Sequence, residues 1–458
     1  MIWMFNSLRT RILAVIFAGA ILIAIDGSTV YPMLEAIQDT FAVNKSTVTW
    51  ILNIEVIFIM LGTPLFAKLS DRYGRKPIYL TSAILFLLGT ITVSFSQSFE
   101  ILLIGRALQG LGAVLSVLAV TIIGDYFDET RGTILGAFGV VISLTYALGP
   151  AIAGFFVDIN WHYVFMINIP VALAVVLLGY FLLPAGKPLQ KHRSFDWKGM
   201  SLLAISISTL SLLVYSFKGN WLTEIAYDEM ILFPLLIISL ALFWWVERKT
   251  DEPILPIGLL KQRDILIGSL VALLGFLFMA GTYYYSTFAR HAFNLSYSDA
   301  AYLVLPHTIA AMVATIIVGK LLDKLGAKPI MVAGGAIAVF GMLLMSYSPT
   351  PFIFALAAVI FAIGNAGILG QALYYLFLDE TDKSKRASGQ ALLSICLNVG
   401  ALLGGVIISK FLDFSASAAG VDSFRDMYFF LALSYVLLTI LAICLRGRLF
   451  SNKKPAKG

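Results

Sequence analysis

The chain has 458 residues, of which 59% are hydrophobic and only 13% charged, and its formal net charge is +6. A soluble domain needs roughly 25% charged residues to cover its surface, so much of this surface must face lipid, and at this length several apolar helices must share the load. The two cysteines, Cys396 and Cys444, lie far apart inside apolar runs and read as small packing residues, not as a disulfide or metal framework.

Runs of about 20 apolar residues match a hydrocarbon core about 30 Å thick. Along the chain they fall at 11–33, 46–67, 77–96, 99–123, 132–157, 162–183, 199–217, 230–246, 265–289, 299–319, 329–347, 351–377, 387–410 and 427–446. That predicts fourteen spans. The first follows Arg9 and Arg11 and is long enough to remain as a span instead of being cleaved as a signal peptide. With this count, 26 of the 32 lysines and arginines fall on the side of both termini. Lys45, Lys218, Arg290, Lys410 and Arg425 fall on the other, and Arg106 lies within the fourth span. The excess marks the cytoplasmic side, so the expectation is a multi-pass protein of the cell (plasma) membrane with both termini in the cytoplasm.

The segment Lys68-Leu-Ser-Asp-Arg-Tyr-Gly-Arg-Lys-Pro77, between the second and third spans, returns as Lys320-Leu-Leu-Asp-Lys-Leu-Gly-Ala-Lys-Pro329, between the tenth and eleventh, with a shift of 252 residues. The chain therefore divides into a six-helix bundle over 1–186, two inserted helices with flanking loops over 187–262, and a second six-helix bundle with a tail over 263–458. Duplicated halves of this kind are typical of carriers that rock around a site at the repeat interface.

On these residues the chain resembles the major facilitator superfamily along essentially its whole length. The Leu69-Ser-Asp-Arg-Tyr-Gly-Arg-Lys76 loop is similar to that superfamily's cytoplasmic signature, with Ala67 where a glycine is usual and Gly319 keeping it in the second copy. Gly105-Arg106-Ala-Leu-Gln109-Gly110-Leu-Gly112 resembles the arginine motif of proton-coupled members. Thr145-Tyr-Ala-Leu-Gly149-Pro150-Ala-Ile-Ala-Gly154 resembles the antiporters' glycine-proline motif, with Thr145 and Ala153 in place of glycines. Ile25-Asp26-Gly-Ser-Thr29, the stretch Trp161-His-Tyr-Val-Phe165-Met-Ile-Asn168-Ile-Pro170 and the two extra helices narrow the resemblance to the fourteen-helix drug:proton antiporters. It implies an all-α major-facilitator fold arranged as 6 + 2 + 6 helices. It also implies a proton-coupled exporter of lipophilic, often cationic, compounds, driven by the proton gradient without a cofactor. The expected partners are such solutes, protons and membrane lipid, with no nucleic acid, no metal and the monomer as the working unit.

Among the 26 acidic residues, Asp26 and Glu55 are the two placed well inside spans. An unpaired charge there is costly, so intramembrane carboxylates face protein or water and tend to be functional. Counting 1.5 Å per residue from the outer boundary puts both at roughly 10–14 Å depth, and Arg106 falls in the same layer. Desolvation favours a protonated carboxyl and a nearby guanidinium favours the ionised form. A cavity that opens to alternate sides can then load and release protons on Asp26 and Glu55, with Arg106 tuning one of them. The bland alternatives are a structural Asp26–Arg106 ion pair, a hydrogen-bonded packing role for Glu55, and a purely structural Arg106.

His307 is the repeat partner of Glu55 and can relay protons, bind solute, or be simply hydrogen-bonded. Tyr283, Tyr284 and Tyr285 in the ninth span and Phe361 in the twelfth either line a cavity that takes flat cations or face lipid. Asn53, Asn365, Gln371 and Asn398 either face the cavity or bond neighbouring helices. Asp71 and Asp323, beside Arg72 and Arg75 in the first copy, end inward-running helices, where carboxylates can pair with arginines and helix N-termini to latch the cytoplasmic side. The alternative is that these loops act through topology alone. A lipid flippase or exporter stays open as another function, and an uptake symporter is disfavoured by the glycine-proline motif in the fifth span. No phosphate-binding loop or metal-ligand cluster argues for an enzyme, and the duplication argues for a carrier over a channel.

Overall fold

The structure is a computed structural model that describes residues 7–43, 45–157, 159–185, 196–216, 227–250, 253–255, 257–295, 297–415 and 421–446. Among them, fourteen helices are long and apolar enough to cross a bilayer, and no strand occurs. In chain order the spans are α1 Leu8–Val30, α2 Trp50–Tyr73, α3 Arg75–Ser94, α4 Phe99–Tyr126, α5 Arg131–Phe156, α6 His162–Leu182 and α7 Trp197–Val214. They continue as α8 Met230–Lys249, α9 Arg263–Phe293, α10 Tyr302–Leu325, α11 Ala327–Ser346, α12 Pro351–Glu380, α13 Lys383–Ile408 and α14 Val421–Ile443. The all-α, fourteen-span expectation therefore holds.

The differences are local. The first helix continues past the predicted end at 33 to Phe41, because helical hydrogen bonding carries on through the polar residues beyond the apolar run. A 3₁₀ stretch at Ala280–Tyr284 interrupts α9, and α12 breaks between Ile368 and Gln371. Starts are set by side-chain caps: Ser98 accepts from the Ile101 N–H, and Thr350 accepts from the Ile353 N–H ahead of Pro351 at the first turn.

The helices fall into two units. Unit 1 is Met1–Tyr126, Val141–Gly258 and Asp382–Ser394, so it takes in the inserted pair; unit 2 is Phe127–Val140, Leu259–Thr381 and Ile395–Gly458. In unit 1 the helices pair as α1·α4, α1·α6, α2·α4, α3·α4 and α3·α6. In unit 2 the same set recurs as α9·α12, α9·α14, α10·α12, α11·α12 and α11·α14. The internal repeat of the sequence is thus a repeat of packing. The inserted α7 and α8 pack on each other, with Ser206 donating to Ser239 at 3.0 Å, and α7 rests on α2.

Close crossings depend on glycine. A Cβ on Gly89 of α3 would lie 2.6 Å from the Gln109 backbone nitrogen of α4, and one on Gly105 would lie 2.9 Å from that of Val93. Small residues are how membrane helices approach this closely, and here they bring α3 and α4 together at the level of Arg106.

The repeated loop also has a physical account. Gly74 and Gly326 have φ of 97° and 80°, a region that disfavours a side chain, and they turn the chain from α2 into α3 and from α10 into α11. Lys76 then donates to the carbonyls of Tyr180 and Leu183 at 2.6 and 2.8 Å, at the end of α6. Lys328 does the same at Leu445, 2.7 Å away, beyond the end of α14. Both lysines sit where a helix leaves carbonyls unpaired and attracts cations.

Candidate functional site

The polar core of unit 1 is built on Arg106, which is fully buried. Its Nε donates to the Ile51 carbonyl at 3.2 Å, and its Nη1 donates to Asp26 Oδ2 at 2.8 Å and Gln109 Oε1 at 2.9 Å. Its Nη2 is paired with Glu55. Gln109, one turn along α4, donates from Nε2 to Asp26 Oδ1 at 3.0 Å and to Thr90 Oγ1 at 3.1 Å. Asn168 of α6 adds a longer contact to Asp26 Oδ1, at 3.3 Å. Side chains of α4 and α6 therefore converge on Asp26 of α1, which is only 1% exposed.

The three residues expected to share a layer do so in direct contact. One guanidinium faces two carboxylates, so the cluster is neutral when it holds one proton and carries −1 when it holds none. A buried −1 charge is expensive, so the arrangement is chemically suited to taking up one proton. Gln109 and Asn168 complete the network and were not singled out as site residues by the sequence reading. Both lie in stretches that carry the family resemblance, Gln109 at i+3 from Arg106 and Asn168 in the run from Trp161 to Pro170, and that was the available signal.

The glycine-proline stretch passes beside this core. A Cβ on Gly149 would collide with Ser28, two residues from Asp26, and one on Gly27 would lie 2.6 Å from the Tyr146 hydroxyl. The motif thus lets α5 run close against α1. The Pro150 side chain lies outside the described residues, and Gly154 is exposed with open space where a Cβ would be.

In unit 2 a shift of 252 aligns Glu55 with His307, Arg106 with Ala358 and Gln109 with Phe361. The contact survives the change of chemistry: His307 Nδ1 lies 3.0 Å from the Ala358 carbonyl, and its ring stacks on Phe361 with centroids 6.2 Å apart. Around them is an aromatic core. Tyr285 meets the His307, Phe361 and Tyr428 rings at 5.4, 6.5 and 5.9 Å. Tyr435 donates to Asn365 Oδ1 at 2.8 Å, and Asn365 Nδ2 reaches Met279 Sδ at 3.8 Å. Within the tyrosine triplet it is Tyr285 that joins this core. Tyr284 is half-buried in the 3₁₀ stretch, and the side chain of Tyr283 lies outside the described residues. Asn53 and Asn398 are half-buried on α2 and α13. Within unit 2, α10 lines an apolar cavity of about 590 Å³ with α11 and α12, bounded by residues such as Ile309, Val313, Ile317, Ile337 and Ile363.

At the end of each unit that bears the repeated loop, an aspartate holds a helix N-terminus. Asp71 accepts from the Ser388 N–H at 3.2 Å and hydroxyl at 2.8 Å, and pairs with Arg75 at 2.6 Å. Arg75 reaches on to Asp125 at 2.9 Å, which Arg386 approaches at 3.3 Å. In unit 2, Asp323 accepts from the N–H groups of Gly132 and Thr133 at 2.7 and 2.8 Å, and Arg131 pairs with Asp379. Arg72 is placed differently, with its guanidinium over the Tyr73 ring at 5.3 Å.

The family model of the Major Facilitator Superfamily matches residues 16–405 and 267–458. The chain belongs to that superfamily. It is 26% identical to the riboflavin transporter RibZ of Clostridioides difficile over 407 residues, 87% of either chain. It is 31% identical to multidrug resistance protein 3 of Bacillus subtilis over 303 residues, 65% of this chain and 58% of that protein. The crystal structure of the human organic anion transporter MFSD10 (TETRAN) superposes with a TM-score of 0.68 at 16% identity, covering 94% of this chain and 99% of that one. The superfamily is one of transporters, and secondary transport across a membrane, not enzymatic catalysis, is the activity of this chain.

Proposed function

We propose that this chain is a proton-coupled antiporter that exports lipophilic, cationic organic solutes by alternating access, with both termini in the cytoplasm. The observation that carries the reading is the buried cluster of one guanidinium and two carboxylates. Asp26 and Glu55 are its proton carriers, and Arg106 keeps the empty cluster from bearing two unbalanced charges. A proton taken up from the outer side neutralises the cluster, and its loss to the cytoplasm resets it. The aromatic residues of unit 2 supply faces on which a flat cation can stack, and the multidrug resistance relative supports the solute class. Asp71 and Asp323 act as latches on helix N-termini at the cytoplasmic end.

A second reading, proton-linked uptake of a single planar heteroaromatic compound, is favoured by the match to a riboflavin transporter over 87% of both chains. Everted membrane vesicles with an acid lumen separate the two. Export by antiport accumulates a fluorescent lipophilic cation in the lumen, and Asp26→Asn abolishes the accumulation while expression is retained. Riboflavin leaving preloaded vesicles under the same gradient, with no cation accumulation, would establish the second reading and overturn the first. Undiminished accumulation by Asp26→Asn would make Asp26 structural.

A further inference from the structure

The inserted helices carry a second pair of buried acids, away from the cluster around Arg106. Asp196 caps α7, its Oδ1 accepting from the Gly199 N–H at 2.9 Å, and is 8% exposed. Glu247, in the last turn of α8, accepts from the Ile254 N–H at 3.1 Å and is 2% exposed. A Cβ on Gly199 would lie 2.6 Å from Glu247 Oε1 and closer still to Asp196 Oδ2, so both carboxyl groups crowd one glycine. Asp196 Oδ2 and Glu247 Oε2 are buried and have no hydrogen-bond partner among the described residues.

Among the described residues, the charges facing this pair are few. From α2, Lys68 is within electrostatic reach of Glu247, while Asp71 is engaged by Arg75. From the chain after α8, Ile254 and Leu255 offer backbone N–H groups. On α8 itself, Arg248 and Lys249 stand over the rings of Trp244 and Trp245 at 4.7 and 3.9 Å, and on α7 Lys198 is exposed. One lysine balances one carboxylate. A second ionised carboxylate would leave a buried −1 charge beside an oxygen that has nothing to bind. One proton between the two groups removes that charge and turns an orphan oxygen into a hydrogen-bond partner.

We propose that Asp196 and Glu247 form a proton-binding site, separate from the transport cluster, that holds one proton between them and fastens the inserted helix pair to α2. The folded protein keeps a proton here that the unfolded chain releases, so raising the pH favours the unfolded chain. The site therefore loosens the inserted helices when the water beside it turns alkaline.

Thermal unfolding of the full-length protein in lipid nanodiscs tests this at about pH 6 and about pH 9, on either side of the range between ordinary carboxylates and lysines. The wild type loses several degrees of melting temperature at the alkaline value. Glu247→Gln and Asp196→Asn, whose amides donate where the shared proton did, lose much less. Asparagine caps a helix as well as aspartate, so Asp196→Asn decides the matter if Glu247→Gln does not fold. In infrared difference spectra, a protonated-carboxyl band present in the wild type at about pH 6 is missing from both variants. Equal alkaline loss in the wild type and the variants, or an unchanged carboxyl band, would overturn the proposal. So would magnesium or calcium that restores the wild type at alkaline pH and leaves the variants unmoved, since the pair would then be a metal site.

Discussion

Removing the guanidinium of Arg106 is the sharpest perturbation of the buried cluster. Arg106→Gln breaks the contacts to Ile51, Asp26, Gln109 and Glu55 and leaves two carboxylates without a cation in a site whose other polar side chains are amides and the Thr90 hydroxyl. Breaking a buried pair by deleting one partner costs about 3–5 kcal/mol, a fall of about two to nearly four powers of ten in the folded-to-unfolded ratio. Asp26→Asn is a different case, because Arg106 still faces Glu55 and the cluster is neutral; its expected cost is about 1 kcal/mol, that of a charge-assisted hydrogen bond replaced by a neutral one. The double variant Asp26→Asn/Arg106→Gln should recover part of the loss, with a coupling of about 2 kcal/mol between sites in contact. The pH dependence has a definite sign. Without Arg106 the folded state prefers protonated carboxyls more than the unfolded chain does, so the deficit of Arg106→Gln shrinks in acid. Denaturant unfolding in a fixed detergent, followed by tryptophan fluorescence at two pH values, measures all of this. An Arg106→Gln protein within about 1 kcal/mol of wild type and flat with pH would refute the charge-balance reasoning.

Glu55→Gln keeps export driven by a pH gradient and loses its dependence on membrane potential if Glu55 carries a second proton, an effect of about 2.3 kcal/mol per charge per 100 mV. Reconstituted vesicles with a potassium diffusion potential read it, and equal potential dependence in the variant removes Glu55 from the proton path. Asp71→Asn and Asp323→Asn weaken the hold on the N-termini that begin α13 and α5, so they should slow turnover several-fold more than they weaken solute binding. Stopped-flow transport set beside equilibrium binding shows which changes. Single cysteines at Lys191 and Lys454 should resist an impermeant thiol reagent in intact cells, and one at Lys218 should react. These three positions lie outside the described residues, and labelling of Lys454 from outside contradicts the assigned orientation.

The number and placement of the spans were legible because an apolar run of the right length has few other uses. The interruptions, in α4 at Ala113–Val114, in α9 at Ala280–Tyr284 and in α12 near Gly370, were not, since each depends on what packs alongside. The contact of Asp26, Glu55 and Arg106 could be inferred from depth alone, because ionised groups in one apolar layer have only each other to bind. Glu247 was missed for a simple reason: the apolar run ends at 246, and the helix carries one further turn before it stops at Lys249. Tyr285 could not be told from Tyr284, because which neighbour turns inward is decided by the 3₁₀ turn and not by residue type.

On the proposed function, the repeat divides labour between its two copies. Glu55, Arg106 and Gln109 in one copy stand opposite His307, Ala358 and Phe361 in the other, on helices that pair in the same way. After a duplication, a second ionic cluster is redundant for energy coupling, and selection is then free to rebuild it from rings and small side chains. On the proposed reading, a chain organised this way can change its chemical repertoire by drift in one copy while the proton site in the other stays intact. Mutational libraries confined to unit 2 should therefore yield altered solute ranges at an unaltered proton dependence, whereas the same diversity introduced around Arg106 should yield mostly inactive protein.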